Sequence, residues 1–296
     1  MKIDRIIWNY IKTLLNIRSK SLLINGIRRK FDKIFYKKPY NIIELIEILK
    51  ELGLKKGSNI FIHSSWDEFY NFKGTPKEFI EAIMNEIGEE GTLLMPSYPL
   101  IQLSENQIFD IKRTPTGAGL IAEFFRRYPN VKRSINIHSV CALGPMADFF
   151  LTDHQFSTTC WDEKSPYYKI SLTNTLIFSF GLGNSYLPTS YHCAESILRE
   201  EIPYFKQFFT KRINTRFKLI DNKVIEIESL TSSEDFIRIH SKQSINRIIR
   251  RYFDKTKYER TQISNLIILK YDAKYLVSKM IELGKQGKTV YIKPQI

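Results

Sequence analysis

Cysteine is scarce in this 296-residue chain, and the three present, Cys141, Cys160 and Cys193, form no CxxC pair and no zinc-ligand spacing. A disulfide scaffold and a structural zinc site are set aside, and a reducing, cytoplasmic setting is expected. Long apolar runs are absent as well: none reaches the ~18 residues that a membrane-crossing helix needs. The N-terminus is basic and partly apolar but lacks a compact apolar stretch followed by small residues, so no signal peptide is read there. HExxH, GxSxG and a glycine run closing in GKS or GKT are missing, which argues against a zincin, an esterase elbow and a P-loop NTPase. There is no internal repeat and no low-complexity linker, so the chain reads as one large core with an extension rather than an array.

Charge of one sign is what the chain has in excess. The net charge is +14, and it concentrates at the ends. From Met1 to Tyr40 the basic residues, Arg28 to Lys30 among them, are opposed only by Asp4 and Asp32, and a second basic cluster runs from Lys242 to Arg260. Charge placed this way points to contact with something anionic: a phosphorylated ligand, a lipid surface or nucleic acid. A solvated basic surface explains it equally well. Ile6, Ile7, Tyr10, Ile11, Leu14 and Leu15 recur at helical spacing among the basic residues. That segment predicts an amphipathic helix, docked on protein or lying on the inner membrane surface.

The core begins near Tyr40. A helix ends near Gly53, and a short apolar strand follows over Asn59–His63. TPKEFIEAIMNEIG predicts a helix with Thr75 as N-cap, Pro76 at its first position and Gly88 at its end. GTLLMPSY is a further buried strand, and β-α-β of this kind predicts a sheet with helical crossovers. TGAGLIAEFFRRYPNVKRS predicts another helix; SVCALGP and TLIFSFGLG predict two more strands. KRINTRFKLI and KVIEIESL predict a hairpin turning at Asp221–Asn222. Two basic helices and a closing strand, TVYIKP, complete the reading.

Four segments place chemistry-bearing residues at element ends. TSYHCAE (189–195) follows a strand and sets His192 and Glu195 three apart, on one face of a helix. Cys193, next to His192, would point about 100° away, which argues against a Cys–His nucleophile pair. HSSWDEF (63–69) puts His63, Ser64 and Ser65 where a strand emerges. RTPTGAGL (113–120), with Thr114 and Thr116, approaches a helix N-terminus that offers free N–H groups to an anion. RSINIHS (133–139) gathers Arg133, Ser134, His138 and Ser139 between a helix and a strand. Each also has a packing explanation. For TSYHCAE it is that Thr189 or Ser190 caps a helix, His192 is bonded in the core and Glu195 faces solvent.

Taken in order, HSSW, FKGTPKEFIEAIMNEIGEEGTLLMPSY, RTPTGAGLIAEFFRRYPNVKRS, HSVCALG, KSPYYKI and LIFSFGLGNSYLPTSYHCAE resemble the aminoglycoside 3-N-acetyltransferase family, also called antibiotic N-acetyltransferases. The resemblance covers roughly residues 40 to 240, and SSEDFIRI (232–239) is similar to a segment the family carries downstream. It implies a three-layer α/β/α fold around a central mixed sheet, distinct from the GNAT fold. Residues 1–38 read as a basic N-terminal extension outside the resemblance, ahead of an expected acetyltransferase domain over 39–296. The implied activity is acetyl-CoA-dependent transfer to a primary amine of an amino sugar. His192 would be the general base, and Glu195 would orient it or hold the acceptor's ammonium. His63, Ser64 and Ser65 would lie near the pantetheine and thioester, and Thr114, Thr116, Arg133, Ser134, His138 and Ser139 along the cofactor cleft. The chain departs from the family after Arg133–Ser134, where it has Asn136 and Ile137 in place of His-Pro. The variable ends leave the acceptor open: an aminoglycoside, or a nucleotide-linked amino sugar of surface glycans.

The residue types suit that chemistry. Histidine titrates at about 6.5 when unperturbed, close to what removing a proton from an attacking amine requires. No covalent enzyme intermediate is required. Two alternatives stay open: a relative that binds CoA or an amino sugar without turnover, and a basic nucleic-acid-binding protein, for which no helix-turn-helix, zinc or RRM signature is found. The partners expected are acetyl-CoA and a small amino sugar, without nucleic acid; a homo-oligomer is left open.

Overall fold

The computed structural model describes residues 33–99, 108–232 and 245–291. The amphipathic helix expected between Ile6 and Leu23 and most of SSEDFIRI lie outside the described residues.

Helix α1 (Ile42–Glu51) starts on a capping box in which Asn41 accepts from the amides of Ile43 and Glu44 and Glu44 reaches back to Asn41. Strand β1 (Asn59–Ser64) leads to α2 (Pro76–Ile87), which starts on a second box built by Thr75 and Glu78. Pro76 at the first helical position and Gly88 at the cap complete the signals read from the sequence, a cap of this kind being worth about 1 kcal/mol. Then come β2 (Thr92–Pro96), β3 (Ile108–Asp110), α3 (Leu120–Arg126), β4 (Lys132–Arg133), β5 (Val140–Leu143), α4 (Ala147–Leu151), α5 (Pro166–Lys169) and β6 (Leu176–Phe180). Helices α6 (His192–Leu198) and α7 (Pro203–Lys206) precede the hairpin β7 (Lys211–Lys218) and β8 (Val224–Thr231), which turns at Asp221 and Asn222 as expected, with Asn222 at φ 68°. The last elements are α8 (Ile245–Tyr252), β9 (Tyr258–Ile263), β10 (Leu266–Asp272) and α9 (Ala273–Lys285).

Seven strands form one mixed sheet in the order β4-β5-β2-β1-β6-β10-β9. The centre is parallel, β1 beside β2 and β6, and the pairings β6–β10, β10–β9, β2–β5 and β5–β4 are antiparallel. Both basic helices expected near the C-terminus are present, but an antiparallel hairpin, β9–β10, lies between them and extends the sheet. The closing strand expected at TVYIKP falls partly outside the described residues. A second, three-stranded sheet has the order β3-β7-β8.

Strand side chains alternate between two cores. Ile60, Ile62, Leu93, Met95, Phe178, Phe180 and Ile268 pack with α1, α2 and α3 on one face. Phe61, Leu94, Ile177, Leu269 and Tyr271 pack with α4 to α9 on the other. This is the three-layer α/β/α arrangement around a mixed sheet. The carboxyl ends of the parallel strands, where ligands dock in such sheets, carry His63 and Ser64 from β1 and the turn after β6.

Candidate active site

Strand β6 stops at Phe180, and Gly181, at φ 69°, turns the chain. A Cβ there would lie 2.5 Å from Cβ of Glu68, so only glycine lets this turn meet the loop after β1. Thr189–Tyr191 then forms a single 3₁₀ turn that delivers His192 to the start of α6, and no side chain caps it. Neither Thr189 nor Ser190 acts as a cap, and the exposure is the reverse of a packing pair: the Glu195 side chain is 6% exposed and that of His192 28%.

His192 Nδ1 donates to Glu195 Oε2 at 2.7 Å. A carboxylate only accepts, so this bond requires the proton on Nδ1 and leaves the Nε2 lone pair free. Among the described residues Nε2 has no hydrogen-bond partner. The other carboxylate oxygen, Oε1, accepts from the Tyr291 hydroxyl at 2.8 Å. Tyr191 lies 4.0 Å from the imidazole and Trp161 5.1 Å, between ring centroids. Trp161 also touches His138, at 4.4 Å. Burial, and secondarily the charge of His192, push His138 down to about 4. Cys193 is fully buried and burial pushes its thiol well up, which leaves it inert as a nucleophile.

His63 projects to the same face of β1 as Phe61. It is buried, burial lowers it to about 3, and its Nδ1 meets the Tyr186 hydroxyl at 3.2 Å. Ser64 ends β1, and the Ser65 amide donates to Phe180 O at 3.0 Å. That amide is therefore spent on the sheet.

The remaining sequence candidates form a bracing network. Arg133 donates to Ile111 O at 3.2 Å, Thr114 O at 2.7 Å, Ser139 Oγ at 3.1 Å and also to Ser97 O. Burial lowers its guanidinium to about 10. Ser139 donates to Ser97 O at 2.6 Å, and Thr116 to Tyr98 O at 2.9 Å. Thr114 Oγ1 accepts from the Asp110 amide, and Ser134 Oγ bonds His154 Nδ1 at 2.8 Å. As placed, Thr114, Thr116, Arg133, Ser134 and Ser139 hold loops together, and only His138 of this set joins the ring cluster around His192. A cavity of about 1000 Å³ opens along β4, with Lys112, Arg113, Arg127 and Lys132 in its lining against the single carboxylate Asp148. Arg133 and Ser134 also line it, but His63, His138, Trp161 and His192 do not.

Trp161, Tyr186 and Tyr291 complete the surroundings of the histidines, and no spacing rule marks them in the sequence.

Fold and site define an α/β/α protein that presents a carboxylate-oriented imidazole just past the carboxyl end of a parallel strand. A family model described as aminoglycoside 3-N-acetyltransferase matches residues 61–283. The chain belongs to that family, and the match runs on past residue 240 through the β9–β10 hairpin and most of α9. It is 30% identical over 163 residues to aminoglycoside N(3)-acetyltransferase IV of Salmonella sp, covering 54% of this chain and 60% of that protein. It is 32% identical over 185 residues to the SPbeta prophage-derived aminoglycoside N(3')-acetyltransferase-like protein YokD of Bacillus subtilis (strain 168), covering 55% of this chain and 65% of that one. The chain thus spans less than two thirds of either relative. The solved structure of AAC-IIIb in binary complex with CoASH shares the fold, with a TM-score of 0.69 at 21% identity over 84% of this chain and 98% of that chain.

Proposed function

We propose that this protein transfers an acetyl group from acetyl-CoA to a primary amine of an amino sugar, with His192 as general base. The observation that carries the reading is the half-exposed imidazole whose Nδ1 is fixed on the buried carboxylate of Glu195. Nε2 takes the proton of the attacking amine as the N–C bond forms. The C–S bond then breaks, and the imidazolium returns the proton to the leaving thiolate. Glu195 holds the tautomer and stabilises the imidazolium while it lasts. Ser64 and Ser65, which follow His63 at the end of β1, supply the hydroxyls that would donate to the thioester's developing oxyanion in this reading, where one donor is typically worth about 3 kcal/mol. With Cys193 inert, transfer is direct, without an acetyl-enzyme.

A thiol-release assay with acetyl-CoA against a panel of amino sugars tests this. Release matched by acetylated amine supports it, and no release with any amine overturns it. The charge favours an acceptor that itself carries phosphate: a net charge of +14 repels a free polyamine and attracts a nucleotide-linked amino sugar.

A further inference from the structure

Glu195 has two oxygens, and His192 uses one. The other accepts from Tyr291, which is 6% exposed, with its ring 5.0 Å from that of Phe208. Tyr291 lies beyond residue 283, where the family match stops. What brings it there is local. Helix α9 packs so closely on α6 that a Cβ on Gly284 would sit 2.4 Å from Leu198 Cδ1. Gly287, at φ 72°, reverses the chain, and the Lys288 amide closes the turn on Leu283 O at 2.8 Å. Thr289 Oγ1 then accepts from the Tyr291 amide at 3.2 Å. The phenol arrives over a carboxylate that α6 holds fast. Burial, and next the charge of Glu195, keep that phenol protonated far above its ordinary range, so it stays a donor.

We infer that Tyr291 is a positioning residue of this site, the outer member of a Tyr291–Glu195–His192 relay supplied by a segment outside the family match. The inference rests on the reading of His192 as the base. The Tyr291 bond draws charge from the carboxylate and fixes its rotation, and so sets how strongly Glu195 holds the imidazolium. Without the hydroxyl, Oε1 is left buried with no donor from this position, the carboxylate becomes more basic toward Nδ1–H, and His192 binds its proton more tightly.

The test is Tyr291→Phe, which keeps the ring, read by NMR titration of the His192 imidazole and by the pH profile of kcat/KM. The expected result is a rise of the His192 midpoint by about half a unit to one unit, a matching shift of the acidic limb, and a fall in kcat of about tenfold with KM within about twofold. An unchanged midpoint in a variant that melts like the wild type overturns the inference. Should the variant fail to fold, the wild type decides: the Tyr291 hydroxyl proton should resonate downfield and move as His192 titrates, and a resonance indifferent to that titration overturns it. The titrations need neither acetyl-CoA nor acceptor. A wild type without acetyl transfer therefore sinks the proposed reaction and leaves the relay to be judged separately.

Discussion

His138 and His192 share the ring of Trp161, with centroids 4.4 Å and 5.1 Å from it. The two imidazoles on this shared neighbour sit in different surroundings. His192 is part exposed and anchored on a carboxylate. His138, with no carboxylate partner among the described residues, is pushed down to about 4 by burial and by the charge of His192, which keeps it neutral near pH 7.

Acid should destabilise the protein in a window set by such histidines. His63 and His154 are buried and lowered to about 3, and His138 to about 4. Each binds a proton more readily unfolded, near 6.5, than folded, so its stabilisation is complete above pH 6.5 and is lost as pH falls toward 3. Between pH 7 and 5.5 the loss should be about 3 kcal/mol in denaturant titrations, with part-exposed His138 contributing least. Glu123, held down to about 2 against its burial by hydrogen bonds from Arg126 and the Thr116 amide and by the Arg126 charge, adds its own loss only below about pH 4.5.

Glu195 and His192 should separate in stability. Glu195→Ala removes the carboxylate that accepts from the buried Tyr291 hydroxyl and should cost about 1–3 kcal/mol of unfolding free energy. His192→Ala removes a part-exposed ring and should stay within about 1 kcal/mol of wild type. Equal costs in chemical denaturation would mean that Tyr291 does not depend on the carboxylate.

Gly181→Ala should lower stability by about 2–3 kcal/mol, or about 5–10 °C in melting temperature. The new Cβ both clashes with Glu68 and is strained at φ 69°. The displaced loop carries Ser65, so activity of the folded fraction should fall too. A melt unchanged from wild type would show that the turn relaxes freely.

Salt should discriminate among acceptors. For a nucleotide-linked amino sugar, KM should rise with ionic strength as the cationic surface is screened over about 8–10 Å. For a kanamycin-like polyamine it should hold or fall. Preference for the polyamine at low salt would remove phosphate from the acceptor's description.

Much of the scaffold was legible because its signals are local. Thr75 and Pro76 announce α2, Asp221 and Asn222 announce the β7–β8 turn, and the apolar runs announce the parallel strands. The β9–β10 hairpin was not legible: it turns at Ser264 and Asn265 without a glycine, Ser264 itself adopting φ 50°, and the side chains of β9 are part-exposed or exposed. In the site, the His192–Glu195 spacing is a helical rule and could be read directly. Tyr291, at the end of the chain, and Trp161, in an irregular loop, reach the same point only through tertiary packing, which no spacing encodes. The bracing role of Arg133 and Ser139 was equally hidden, since their acceptors lie in other segments.

Steady-state thiol release by the wild type and His192→Gln, with the best acceptor of the panel, tests the role of His192 most directly. The predicted result is a kcat lower by about 100-fold or more, with KM for acetyl-CoA and acceptor within about threefold and an unchanged melt. Turnover within about twofold of wild type would contradict it.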